Sequence, residues 1–181
     1  MLNSNFIMLG LFFVSLLAYP FLGFLVRPIT IFFHELGHAL PALYYDRNAS
    51  VEIFVGSYGD EDDSFWFKIG RLKIWFCWNL FARGGLCRPE AELTLDQKIT
   101  VVTCGPVASF VVAVVCITLF VSDYSSTGSL LMGVFLISAI HDLFYNLGRE
   151  VIIEYDNGAR LYSDAYQLRQ YRSIKEAQAN I

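Results

Sequence analysis

Three side chains within one helical turn carry the strongest chemical signal in this chain: His34, Glu35 and His38, in the run His34-Glu35-Leu36-Gly37-His38. On a helix, positions i and i+4 share a face one turn apart. Two imidazoles stacked in this way can hold one Zn²⁺, and the neighbouring carboxylate can reach a water on the ion. Zinc lowers the pKa of such a water to about 7, which makes hydroxide available at neutral pH. Glu35 is then the candidate general base, taking the water's proton and passing it to a leaving amine. The pattern is short, and a catalytic zinc also needs a third protein ligand and an open position. Its setting sharpens it. The run lies in an apolar segment, where a central charge costs roughly 2.5–3.5 kcal/mol on insertion scales. Three ionisable groups on one turn there need a compensating partner, and a divalent metal supplies it.

The elements that must position these groups read as membrane segments. Hydrophobic residues make up 55% of the 181, aromatics 16% and charged residues only 17%, with a mean hydropathy of +0.47. Soluble domains carry about a quarter charged residues, so many of these side chains must face lipid. The net charge of −4 offers no basic surface for a nucleic acid, and that class is excluded as a partner. Apolar runs at 6–26, 28–45, 99–121 and 128–147 predict a polytopic α-helical membrane protein of about four transmembrane helices. Arg27 and Pro28 are read as the break between the first two, since Pro is well tolerated at a helix start, with one long, bent element across Pro20 to Pro28 as the alternative. The N-terminus lacks the basic residues of a signal peptide, so the first run is expected to remain as a helix. With four crossings the N-terminus, the 46–98 loop and the C-terminus share one side. That side holds twelve of the thirteen basic residues, all but Arg27, which makes it cytoplasmic by the positive-inside rule. A bacterial inner membrane is the expected location. The four cysteines, Cys77, Cys87, Cys104 and Cys116, lack CxxC spacing and read as reduced thiols.

Two further landmarks follow in order. Gly105-Pro106 opens the third apolar run, and Asn146-Leu147 precedes Asp156-Asn157-Gly158-Ala159-Arg160-Leu161. Together with His34 to His38 they resemble the site-2 protease family of intramembrane zinc metalloproteases, across residues 34–161. The resemblance implies a zinc metalloendopeptidase that hydrolyses membrane-protein substrates within the bilayer, with Zn²⁺ held by His34, His38 and, by position, Asp156. Gly158 just after Asp156 permits a tight turn. Glu150, Glu154 and His141 are alternative third ligands. Ser109 stands where the family usually has Asn, and the stretch before Asp156 lacks the family's prolines.

The long loop carries Val51–Val55, which alternates as strands do, and two apolar runs, 65–69 and 72–76, flanking Gly70-Arg71 as a tight hairpin. A small membrane-associated sheet over about 50–78 is therefore expected between the second and third helices. Its edge could pair with an unwound substrate and present it extended to the zinc. The run 84–89 reads as a turn-rich connector, and the acidic cluster at 60–63 as a solvated loop tip. Residues 1–158 form the expected core and 159–181 an amphipathic tail. Two rival classes share these features: a non-catalytic zinc-binding membrane scaffold, and a metal or proton conduit using His141 and Asp142. Glu35 speaks against the first, because a structural site needs no general base. The lack of inverted repeats speaks against the second.

Overall fold

The computed structural model describes residues 4–79, 84–122, 127–155 and 158–179. Its first element departs from the sequence expectation. The runs 6–26 and 28–45 are one helix, α1 (Ser4–Tyr45), which passes through Arg27 and Pro28 without a break. Pro28 lacks an N–H and removes one rung, yet neighbouring polar groups can repair such a loss inside a membrane bundle. Arg27 needs no interface to reach either, because its guanidinium lies 3.2 Å from the Asp142 carboxylate. Among the described residues three helices, not four, are long and apolar enough to cross a membrane: α1, α2 (Leu95–Ser122) and α3 (Thr127–Gly148).

The three pack against one another in alternating directions. Along α1, Ser15, Thr30 and His34 meet Leu130, Ser138 and Asn146 in turn, so α1 and α3 run parallel. His34 and His38 meet Ser109 and Val101, so α2 runs against them. Small residues let the helices close up. A Cβ on Gly37 would lie 2.5 Å from the Cys104 carbonyl oxygen, and one on Gly133 would lie 2.2 Å from Ser15 Oγ. In this bundle the loop after Tyr45 and the tail after Gly148 follow the C-terminal ends of α1 and α3, and the start of α1 lies at the other end. The expectation that N-terminus, loop and tail share a side rested on a fourth crossing, which the described residues do not contain.

Between α1 and α2 lies a four-stranded sheet of β1 (Ser50–Val55), β2 (Ser64–Ile69), β3 (Leu72–Cys77) and β4 (Gly85–Glu90), ordered β2-β3-β1-β4. The hairpin at Gly70-Arg71 is as expected, with Gly70 at φ 59°. The strand β4 is not: the run read as a connector pairs antiparallel with β1 over its whole length. Pro89 is tolerated there because β4 is an edge, with no donor needed on one side. Val51, Ile53 and Val55 alternate inward onto Ile31, Ala39 and Ala42 of α1 and form the buried core beneath the sheet. Beyond α3 comes a short hairpin, β5 (Val151–Glu154) and β6 (Arg160–Tyr162), and then α4 (Asp164–Ala179). The four cysteines are free thiols.

Candidate metal centre

His34 and His38 meet as helical spacing requires, with Nε2 atoms 3.3 Å apart. Each ring is oriented through its other nitrogen. His38 Nδ1 donates to the Val101 carbonyl at 2.8 Å, and His34 Nδ1 lies 2.9 Å from Ser109 Oγ. A Nδ1–H donated to a carbonyl leaves Nε2 with its lone pair free for a metal, the usual support of a ligating histidine. Ser109, a departure from the family pattern by sequence, thus has a definite task. Gly105 has another: a Cβ there would lie 2.1 Å from His38 Nε2, so only glycine lets the ring lie against α2.

The third carboxylate comes from a place the sequence reading passed over. Asp164, at the start of α4, puts Oδ2 3.1 Å from His34 Nε2 and Oδ1 3.4 Å from His38 Nε2. One ligand atom from each of His34, His38 and Asp164 lies within 4.8 Å of the others, and no other such group of His, Cys, Asp or Glu occurs among the described residues. Ser163 caps the helix, its Oγ accepting from Tyr166 N at 3.2 Å and donating to the Arg149 carbonyl. The Ser-Asp pair that opens an amphipathic tail is an N-cap signature, and it was the available clue. Asp156 lies outside the described residues. The alternatives are engaged elsewhere: Glu150 is 3.5 Å from Arg169, Glu154 3.0 Å from Arg160, and His141 Nδ1 2.8 Å from Arg27.

These residues fit a divalent cation. Asp164 Oδ2 is buried without a hydrogen bond although two ring nitrogens crowd its carboxylate, so a positive charge among the three atoms is what their lone pairs favour. Burial pushes the Asp164 carboxyl up, and the two histidines outweigh it and hold it below the usual carboxylate range, so it is ionised. Cys87 lines the same cleft but is not among the ligand atoms that converge. Burial, with the charges of Glu35 and Asp164 adding, pushes its thiol well up.

Glu35 is buried beside this group, on the side of β4. A Cβ on Gly85 would lie 2.4 Å from Glu35 Oε1, so the backbone of β4 runs directly against the carboxylate. The centre opens into a cleft of about 280 Å³, walled by Gly85 to Cys87 and Pro89 of β4 on one side and by Ile152, Leu161 and Tyr162 on the other. The unpaired edge of β4 therefore borders the cleft. Asn146, the second landmark, places its amide nitrogen 3.3 Å from His34 Nε2.

The model of peptidase family M50, the site-2 protease family, matches residues 22–169. No curated protein and no solved structure matches the chain. With most of its length covered, the chain belongs to family M50, whose members are zinc-dependent membrane metallopeptidases.

Proposed function

From that membership, we propose that this chain is an intramembrane zinc endopeptidase that hydrolyses peptide bonds of membrane-protein substrates. The observation that carries it is the convergence of His34, His38 and Asp164 beside Glu35 at the base of an open cleft. His34, His38 and Asp164 would hold the ion. When bound, zinc supplies a Lewis acid that acidifies water and polarises a carbonyl. Glu35 accepts the proton from water and delivers it to the leaving amine. Asn146 can donate from its amide to a carbonyl oxygen in the cleft. The substrate enters as an extended strand along the free edge of β4, since a helical segment hides its peptide bonds and a strand edge exposes them. Loop and tail, with their basic residues, face the cytoplasm of a bacterial inner membrane under this reading.

The test is zinc content and cleavage of a model transmembrane peptide by the detergent-purified chain, wild type against Glu35→Gln. About one zinc per chain in both, with cleavage lost only in the variant, is the expected result. Zinc in both and cleavage by neither favours a zinc-binding scaffold. Absence of zinc from the folded wild type removes both readings.

A further inference from the structure

A second polar cluster lies between α1 and α3, about 10 Å along the axis from His34 toward the N-terminal end of α1. Arg27 pairs with Asp142 at 3.2 Å, and Thr30 Oγ1 donates to Asp142 Oδ2 at 2.7 Å. The Asp142 backbone carbonyl accepts from Asn146 Nδ2 at 3.1 Å. One group is left over. Arg27 Nε is buried and has no hydrogen-bond partner. Buried donors without partners are rare and point to a bound water or ligand.

Such a partner has room. A recess of about 30 Å³ lies against Arg27, and its wall includes Asp142, Tyr145, Tyr58, Glu35 and His34. At 10–15 Å³ per water, this holds about two molecules, and its lining offers the several polar groups a buried water needs. The recess and the open cleft share His34, Glu35, Gly85, Asn146 and Ile152, so they meet across the carboxylate of Glu35.

The geometry points to a water site beside Glu35, in the recess that α1 and α3 line together with Tyr58, Gly85 and Ile152, which supplies the hydrolytic water while a substrate fills the open cleft. The supply role rests on the proposed peptidase function; the water site itself does not. Hydrolysis consumes one water per bond: its oxygen goes to the carbonyl carbon, and the C–N bond breaks. Of its two protons, one goes to the leaving amine and the other leaves with the new carboxyl group, which ionises. A strand laid along β4 covers the cleft through which solvent would otherwise arrive. A store in the adjoining recess, which also reaches Glu35, needs no passage past the substrate.

The experiment uses the whole chain in lipid nanodiscs. The Arg27 Nε–H resonance is assigned by its loss in Arg27→Lys, and its contact with water is read by nuclear Overhauser effect. Wild type and Ile31→Val, which slightly enlarges the recess, are expected to show the water contact. Ile31→Phe, which fills it, is expected to lose it, with Tyr145→Trp as the second filling variant should the first not fold. A slowly exchanging Arg27 Nε–H without water contact in the wild type overturns the site. For the supply role, kcat on a model transmembrane peptide should fall about tenfold in the filled variant while KM and zinc content hold. An unchanged kcat with the water gone overturns that role. If the wild type cleaves nothing, the peptidase reading fails and the resonance still decides the water site.

Discussion

The metal centre and the Arg27–Asp142 cluster are both buried ionisable groups that tie α1 to another part of the chain, yet they are built differently. In the Arg27 cluster opposite charges meet directly, and hydroxyls of Thr30 and Ser138 extend the network. It nearly satisfies itself and leaves one donor over. In the centre, two imidazole nitrogens and a carboxylate converge and offer ligand atoms to one point. The first arrangement holds two helices together inside a membrane. The second presents three ligand atoms to a cation, and it faces an open cleft. That convergence, more than the burial, separates a functional site from a structural one.

The largest effect expected from this contrast is at the third ligand. Asp164→Asn should lose zinc from the purified chain at micromolar free metal, while Asp156→Asn keeps about one per chain. Metal analysis of the two variants decides, and the reverse pattern would return the third ligand to Asp156. Next comes the ion pair. Asp142→Ala leaves Arg27 buried and unpaired, which should cost about 3–5 kcal/mol, seen as a large fall in thermal midpoint. Arg27→Gln with Asp142→Asn should recover most of it, and equal losses in the single and double variants would show that charge is not the cause.

Smaller is the effect of Gly105→Ala, whose new methyl meets the His38 ring. Overpacking of this kind costs roughly 1–3 kcal/mol, and because the ring must shift, zinc affinity should fall with stability. Loss of stability alone would mean that α2 yields instead.

The smallest effect lies outside both clusters. Burial pushes the Glu52 carboxyl up, but Arg88, Trp75 and Lys73 outweigh it and hold the group below its ordinary 4.5. A folded-state pKa that is depressed contributes stability above the unfolded value and loses it as pH falls through the folded one. Wild type should therefore exceed Glu52→Gln by about 0.5–1 kcal/mol at neutral pH. The gap should narrow below about pH 4.5 in thermal melts, and a constant gap would exclude an ionic origin.

Much of the site was legible because it is local. His34, Glu35 and His38 sit within one turn, and helical geometry alone brings the rings together. The β2–β3 hairpin was equally local, fixed by Gly70 between two apolar runs. The strand β4 was hidden because its residues, Gly85 to Glu90, have no strand pattern of their own. They are held extended by pairing with β1 across thirty-odd residues of chain, a contact that no window of sequence contains.

What the sequence determined by itself was the membrane class, the two-histidine motif with its adjacent carboxylate, and the shared side of loop and tail, because composition and short periodicities record those directly. The tertiary structure decided three other matters. Arg27 and Pro28 do not break α1, because Asp142, far along the chain, neutralises the charge. Gly105 and Ser109 of α2 seat the histidine rings, because helix packing brings them there. Asp164 meets the histidines, because the chain beyond α3 turns back through β5 and β6 and sets the start of α4 against α1. Each depends on groups distant in sequence becoming neighbours, and only the packed fold makes them so.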